Sequence, residues 1–155
     1  MNIKLCIVTK EEKAILYRLL QYSLFEESIS DQNEMNREAL FEYKWFEHYF
    51  IDNDREAYFI REEETDKLLG FVMINTYVQK CDQGHSIAEF MVVPKYRRHK
   101  IGKKAAVACF EKHPGNWEVS PVYGSESAFQ FWKHVIDDYT DGNNKFVDGI
   151  FTFSS

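Results

Sequence analysis

The chain has 155 residues, 45% apolar and 28% charged, with a formal net charge of -6 and an unusually high 16% of aromatic residues. This is the composition of a globular chain long enough to bury a core, and it excludes a disordered segment. No apolar run approaches the ~20 residues of a membrane span, and net negative charge disfavours general binding to nucleic acid.

The opening stretch MNIKLCIVTKEEK has no long apolar run and no small-residue cleavage site, so it does not read as a secretory leader. With only Cys6, Cys81 and Cys109 in the chain, a reduced, cytoplasmic setting is expected. The alternating stretch NIKLCIVT predicts a first strand. Thr9 with Glu12 forms a capping-box pattern. Ile15, Leu16, Leu19, Leu20 and Leu24 then recur at helical spacing, predicting a helix from about residue 10 to the high twenties. Residues 28–40 are polar and give no clear pattern. FEYKWFEHYF, residues 41–50, reads either as a short helix or as an irregular packed segment whose aromatic residues could support a homodimer. EAYFIRE and LLGFVMINTYV, joined by the turn ETDK, predict a hairpin, and SIAEFMVVP a further strand closed by Pro94.

IGKKAAVACFEKH predicts a helix ended by Pro114-Gly115, with Ala105, Ala106 and Cys109 as a small-residue packing face. NWEVSPV predicts a strand, and SAFQFWKHVID a helix capped by Ser125 or Ser127. The last residues read as a hairpin turning at Asp141, Gly142, Asn143 and Asn144. The expected fold is therefore one α/β (α+β) domain spanning 1–155. Its mixed, mostly antiparallel sheet has six to seven strands, flanked by about four helices.

Charge is unevenly spread. Residues 26–66 hold fourteen Asp and Glu against four Lys and Arg, whereas Lys95 to Lys104 hold six cations and no acid. The acidic part is either a solvated face or an entry surface for a cationic substrate. The basic knot is more informative. Cations at a helix start oppose the helix dipole, a conflict that an anionic ligand such as a phosphate or pyrophosphate would resolve. Gly102 would let backbone approach it closely. Neither a P-loop nor the dinucleotide GxGxxG pattern is present, and no HExxH or CxxC suggests a metal.

Tyr96-Arg97-Arg98-His99-Lys100-Ile101-Gly102-Lys103-Lys104-Ala105-Ala106, following a strand that ends Val-Val-Pro, resembles the acetyl-CoA signature of the GNAT superfamily of N-acetyltransferases. HSIAEFMVVPKYRR, HPGNWEV and AFQFWKHVI extend the likeness to a bacterial branch of predicted acetyltransferases. The pattern is Arg/Gln-x-x-Gly-x-Gly/Ala. Arg97 and Gly102 take their places in it, and Lys100 stands where the first glycine is expected. The resemblance implies that backbone amides from about Arg98 to Lys103, including those of His99, Lys100 and Ile101, hold the coenzyme A pyrophosphate, with Lys104 and the other cations flanking them. It implies that Met91, Val92 and Val93 pair with the pantetheine arm and that Ser125 hydrogen-bonds it.

Amine acetylation needs a base, and Glu89, in the apolar strand IAEFMVV, is the candidate; a structural carboxylate paired to a neighbour is the alternative. Strand alternation puts His85, four residues earlier, on the same face as Glu89, either lining the acceptor site or lying at a loop edge. The family's usual acid, a Tyr on the last long helix seven residues after an Asn, is replaced by Trp132 and Ser125. Tyr123, Tyr139 or water would then protonate the leaving thiolate. Tyr43, Trp45 and Tyr49 are candidates to shape the pocket of a small amine acceptor. The expectation is an acetyl-CoA-dependent N-acetyltransferase without metal or nucleic acid. The alternative is a non-catalytic module of the same fold that binds coenzyme A or a partner.

Overall fold

The computed structural model describes residues 1–155. The capping box forms: the Thr9 backbone N–H donates to the Glu12 carboxylate at 3.1 Å. A short 3-10 turn over Lys10–Glu12 then leads into helix α1, Lys13–Asp31. Strand β1, Ile3–Ile7, pairs antiparallel with β2, Arg55–Glu62, and β2 with β3, Leu68–Asn75, the expected hairpin. Strand β4, His85–Val92, continues antiparallel to β3 and leads through helix α2, Ile101–Lys112, to β5, Asn116–Val119. Helix α3, Glu126–Thr140, precedes β6, Lys145–Val147, and β7, Ile150–Ser154. The seven strands form one sheet, ordered β1-β2-β3-β4-β5-β7-β6.

Two sequence expectations are corrected. There are three α-helices, not about four. Residues 41–50 form only a 3-10 turn, Phe46–Phe50. Their bulky aromatics pack irregularly under α1, and Gln21 pins Phe41 by hydrogen bonds in both directions at 2.8 Å. The final hairpin turns at Asp148-Gly149, both at positive φ (53° and 78°), whereas Asp141 at φ 52° terminates α3. Asp-Gly suits the left-handed pair of positions that a two-residue hairpin needs.

The sheet has a core on each face. Tyr58, Ile74, Phe110, Trp117 and Trp132 pack beneath α2 and α3, where Ala105, Ala106 and Cys109 are fully buried. Leu16, Leu20, Phe46, Phe59, Met73 and Met91 pack beneath α1 and the 41–50 segment. Each such large side chain contributes about 1.5–3 kcal/mol by leaving water. No helix is long and apolar enough to cross a membrane.

Two irregularities in β4 shape the functional region. It pairs with β5, in parallel, only from His85 to Ile87 against Trp117 to Val119. Beyond that point β5 ends, and β4 continues to Val92 with a free edge. In addition, Met73 pairs with Glu89 but Ile74 with Ile87, so Ala88 is an extra residue, a β-bulge.

Candidate active site

The free edge of β4 runs into the basic loop. A 3-10 turn at Pro94–Tyr96 leads to Arg98 and Lys100, both left-handed (φ 68° and 61°), and α2 starts directly after. Backbone N–H groups from Arg98 to Lys103 find no acceptor within the chain, and the first bond of the helix runs from the Lys104 N–H to the Lys100 carbonyl. Left-handed residues at a helix start turn such N–H groups into a concave anion cradle.

The six cations of this loop are not equivalent. Arg97 donates from Nε to the Val92 carbonyl at 2.8 Å and grips Glu26 with both terminal nitrogens at 2.9 and 2.7 Å. It therefore ties β4 to α1. Lys103 is paired with Asp138 of α3, Lys104 reaches the Met1 carbonyl at 2.7 Å, and Lys95 lies over the Tyr96 ring. Arg98, His99 and Lys100 are exposed and without partners, and Arg98 and Lys100 line a cleft. The side chains able to meet an anion are thus fewer than the sequence suggests.

Gly102 also gains a second meaning. A Cβ there would stand 2.9 Å from the Phe131 ring of α3, so the missing side chain lets α2 and α3 meet beside the cleft. Lys100 adopts a conformation costing a non-glycine residue roughly 1 kcal/mol. Lys100→Gly is therefore expected to raise stability slightly, because relief of that strain exceeds the added freedom of the unfolded chain. It should also weaken binding of an anionic ligand at the cradle by about three- to tenfold through loss of one ammonium–anion contact. Thermal melting and calorimetric titration measure the two effects separately.

The cleft, ≈ 820 Å³, lies between the second half of α1 (Ser23, Glu27) and the first half of α3 (Ser125, Trp132), with Met91 and Val92 of β4 in its wall. Met91 and Val92 are buried. The Val93 N–H is committed to the Leu69 carbonyl at 2.8 Å. Ile101 is buried in the core. Ser125 caps α3, its oxygen accepting the Ala128 N–H at 3.1 Å, while its own proton is left to donate.

Glu89 sits deep in the fold with a little of its surface still reachable. The bulge decides where it points. Ala88 and Glu89 both face α1, so Glu89 meets the Tyr43 hydroxyl, which donates to Oε2 at 3.2 Å. The expected common face of His85 and Glu89 is therefore wrong. His85 faces α2, stacked on His113 at 4.0 Å between ring centres and beside Trp117. Burial, with His113 adding to it, lowers its pKa. Trp45 lies on the outer surface against Arg55 and Lys44. Tyr123 projects into solvent, 85% exposed, outside the cleft lining.

Burial raises the Glu89 carboxyl to about 8, and the nearby Glu27 adds to this, while donation from Tyr43 works in the other direction. Glu27 is itself raised to about 7 by burial and by Asp31. Burial and then Glu89 raise the Tyr43 phenol, which stays protonated. Sequence reading missed Glu27, yet the signal was present: Leu16, Leu20, Ser23 and Glu27 share one helical face, and the first three are buried. Cys109, raised to about 12 by burial, is no nucleophile at neutral pH.

A free strand edge ending at an amide cradle, next to a carboxyl of raised pKa, is an arrangement suited to acyl transfer from an anionic carrier. The family model described as Acetyltransferase (GNAT) family matches residues 19–121. The chain belongs to that family. A comparison with curated proteins returns no match. Among solved structures, an acetyltransferase from Thermus thermophilus superposes with TM-score 0.68 at 12% identity, covering 100% of this chain and 98% of that one. The aminoglycoside 6'-N-acetyltransferase AAC(6')-Ih from Acinetobacter baumannii gives TM-score 0.61 at 8% identity, covering 86% and 89%. An aminoglycoside acetyltransferase from an uncultured soil metagenomic sample, in complex with sisomicin, gives 0.58 at 18% identity, covering 86% of each chain. At these identities the likeness is one of fold.

Proposed function

We propose that the protein is an acetyl-CoA-dependent N-acetyltransferase that acts on a primary amine of a small molecule, by direct transfer in a ternary complex. The observation that carries this reading is the free edge of β4, which leads from Glu89 to the unpartnered amides of Arg98–Lys103. The amides, with Arg98 and Lys100, would hold the pyrophosphate of acetyl-CoA. The β4 edge at Met91 and Val92 would align the pantetheine arm, which brings the thioester toward Glu89. When bound, acetyl-CoA supplies the activated acetyl group. Glu89, as a carboxylate, would take a proton from the incoming ammonium and free the nitrogen lone pair for attack.

An amine arrives as a cation at neutral pH. The inward carboxylates Glu27, Asp31 and Glu89 form no ion pair within the chain, whereas Glu26 is neutralised by Arg97. A cation beside these unpaired carboxyls favours their ionised form, which suits a cationic acceptor. Structural neighbours named for aminoglycosides accord with an amine. The three cysteines are free, which accords with action in the cytoplasm.

A second reading, a non-catalytic coenzyme A-binding module, is favoured by Trp132 standing where the family's Tyr acid is expected, with Tyr123 far out in solvent. Titration calorimetry with acetyl-CoA and an acetyl-transfer assay over a panel of amines separate the readings. Binding with transfer is expected. Binding without transfer to any amine points to the module, and no binding at millimolar acetyl-CoA removes both.

A further inference from the structure

The fold holds a row of partly buried polar side chains that ends at Glu89. The Asn75 carbonyl oxygen accepts the Tyr77 backbone N–H at 3.0 Å and the Ser86 hydroxyl at 3.2 Å. A backbone N–H can only donate, so the orientation of the Asn75 amide follows, and its Nδ2 donates to the Tyr49 hydroxyl at 3.2 Å. Tyr49, whose oxygen accepts from Asn75, lies beside Tyr43. Tyr43 in turn donates to Glu89 Oε2 at 3.2 Å. The donors of Asn75 and of Tyr43 both point toward Glu89 along this row. The other carboxylate oxygen, Oε1, has no partner within the chain.

We propose that Tyr43 is a positioning residue for Glu89, the donor at the end of this row, holding Oε2 in place and leaving Oε1 to meet the acceptor amine. The inference rests on Glu89 being the base proposed above. It gives a role to the phenol beside Glu89 where Trp132 stands in the place of a phenol on α3: Tyr43, on the 41–50 segment, stabilises the base's charge rather than supplying an acid. A donor to the carboxylate in a poorly solvated site favours the charged form over the neutral acid. The groups that oppose it are Glu27 and Asp31 of α1, which face Glu89 across the site and add to the effect of burial. On the β3 side the cross-strand partner is Met73, which carries no charge. Without the Tyr43 donor, Glu89 would hold its proton to a still higher pH.

The test is a carboxyl-carbon NMR titration of Glu89 in the intact protein, compared with Tyr43→Phe and Tyr49→Phe, which keep the aromatic rings that the core needs. The parent is expected to titrate at about 8. Tyr43→Phe should move the midpoint up by about one unit, a roughly tenfold smaller ionised fraction at pH 7. Tyr49→Phe should move it in the same direction by less. The acid limb of kcat/KM should follow both shifts. Unchanged or lowered midpoints in both folded variants overturn the proposal. If the midpoints move but no amine is acetylated, the positioning role stands and the enzymatic reading fails.

Discussion

Glu89→Gln is expected to lower acetyl transfer by about 10²- to 10³-fold at neutral pH, the usual contribution of a positioned general base. The loss should appear in kcat more than in acetyl-CoA affinity, because the amide cradle and the β4 edge are untouched. In the parent, activity should rise with pH up to about 8, where Glu89 ionises. In the variant that limb should disappear. A variant with the parent's rate at every pH would remove Glu89 from the mechanism.

The same substitution has an opposite effect on stability. The Glu89 pKa is raised from 4.5 to about 8 on folding, so between those values the native state holds a proton that the unfolded chain releases. Stability must therefore fall as pH rises through that window. The loss is on the order of 3–5 kcal/mol by pH 9 from this group. Glu27, raised to about 7, adds to the loss in the lower part of the window. Glu89→Gln has no charge to expel and should flatten the dependence. Denaturant melts at pH 5 and pH 9 measure it, and an equal slope in parent and variant would show that Glu89 does not carry the shifted proton. Such a gain in stability with a loss of activity is what a strained catalytic group predicts.

The second large effect lies away from the cleft, at Glu118 of β5. This carboxylate is 3% exposed and accepts the backbone N–H groups of Gln79, Lys80 and Cys81, each at 2.7 Å. It thereby folds the β3–β4 connection onto β5, beside the three residue pairs that join β4 to β5. Glu118→Ala leaves three donors without an acceptor and should cost about 3–5 kcal/mol, roughly 10 °C in Tm. Burial alone would raise the Glu118 pKa, but the three N–H donors outweigh it and the pKa is lowered. Its contribution is therefore complete above the unfolded carboxylate's pKa and is lost as pH falls through the lower folded value. The gap in stability between parent and Glu118→Ala should narrow in acid. A gap that is small at pH 7, or constant down to pH 3, would mean that water replaces the carboxylate at little cost.

Local patterns carried most of the fold. The Thr9–Glu12 capping box, the apolar face of α1, the β2–β3 hairpin and the helix start after Pro94 all depend on neighbours a few residues apart. Those signals sit in the sequence itself. The 41–50 segment was ambiguous because its aromatics fit a helix face and an irregular pocket equally well, and Gln21, twenty residues away, decided between them. The basic knot was legible as a candidate anion site for the same local reason: cations at a helix start stand against the dipole. Which of those cations are free was not legible. Glu26, Asp138 and the Met1 carbonyl, which occupy three of them, are close only after folding.

The bulge at Ala88 marks the boundary most sharply. By itself the sequence determined that Glu89 lies in an apolar strand ahead of the basic loop, since hydrophobicity and Pro94 place that strand. Only the tertiary structure decided which way Glu89 faces. One extra residue against β3 reverses the alternation, and that register is set by pairing between strands rather than by any residue in β4. It separates Glu89 from His85, turns it toward Glu27 and Tyr43, and so determines both the proton it holds and the chemistry open to it.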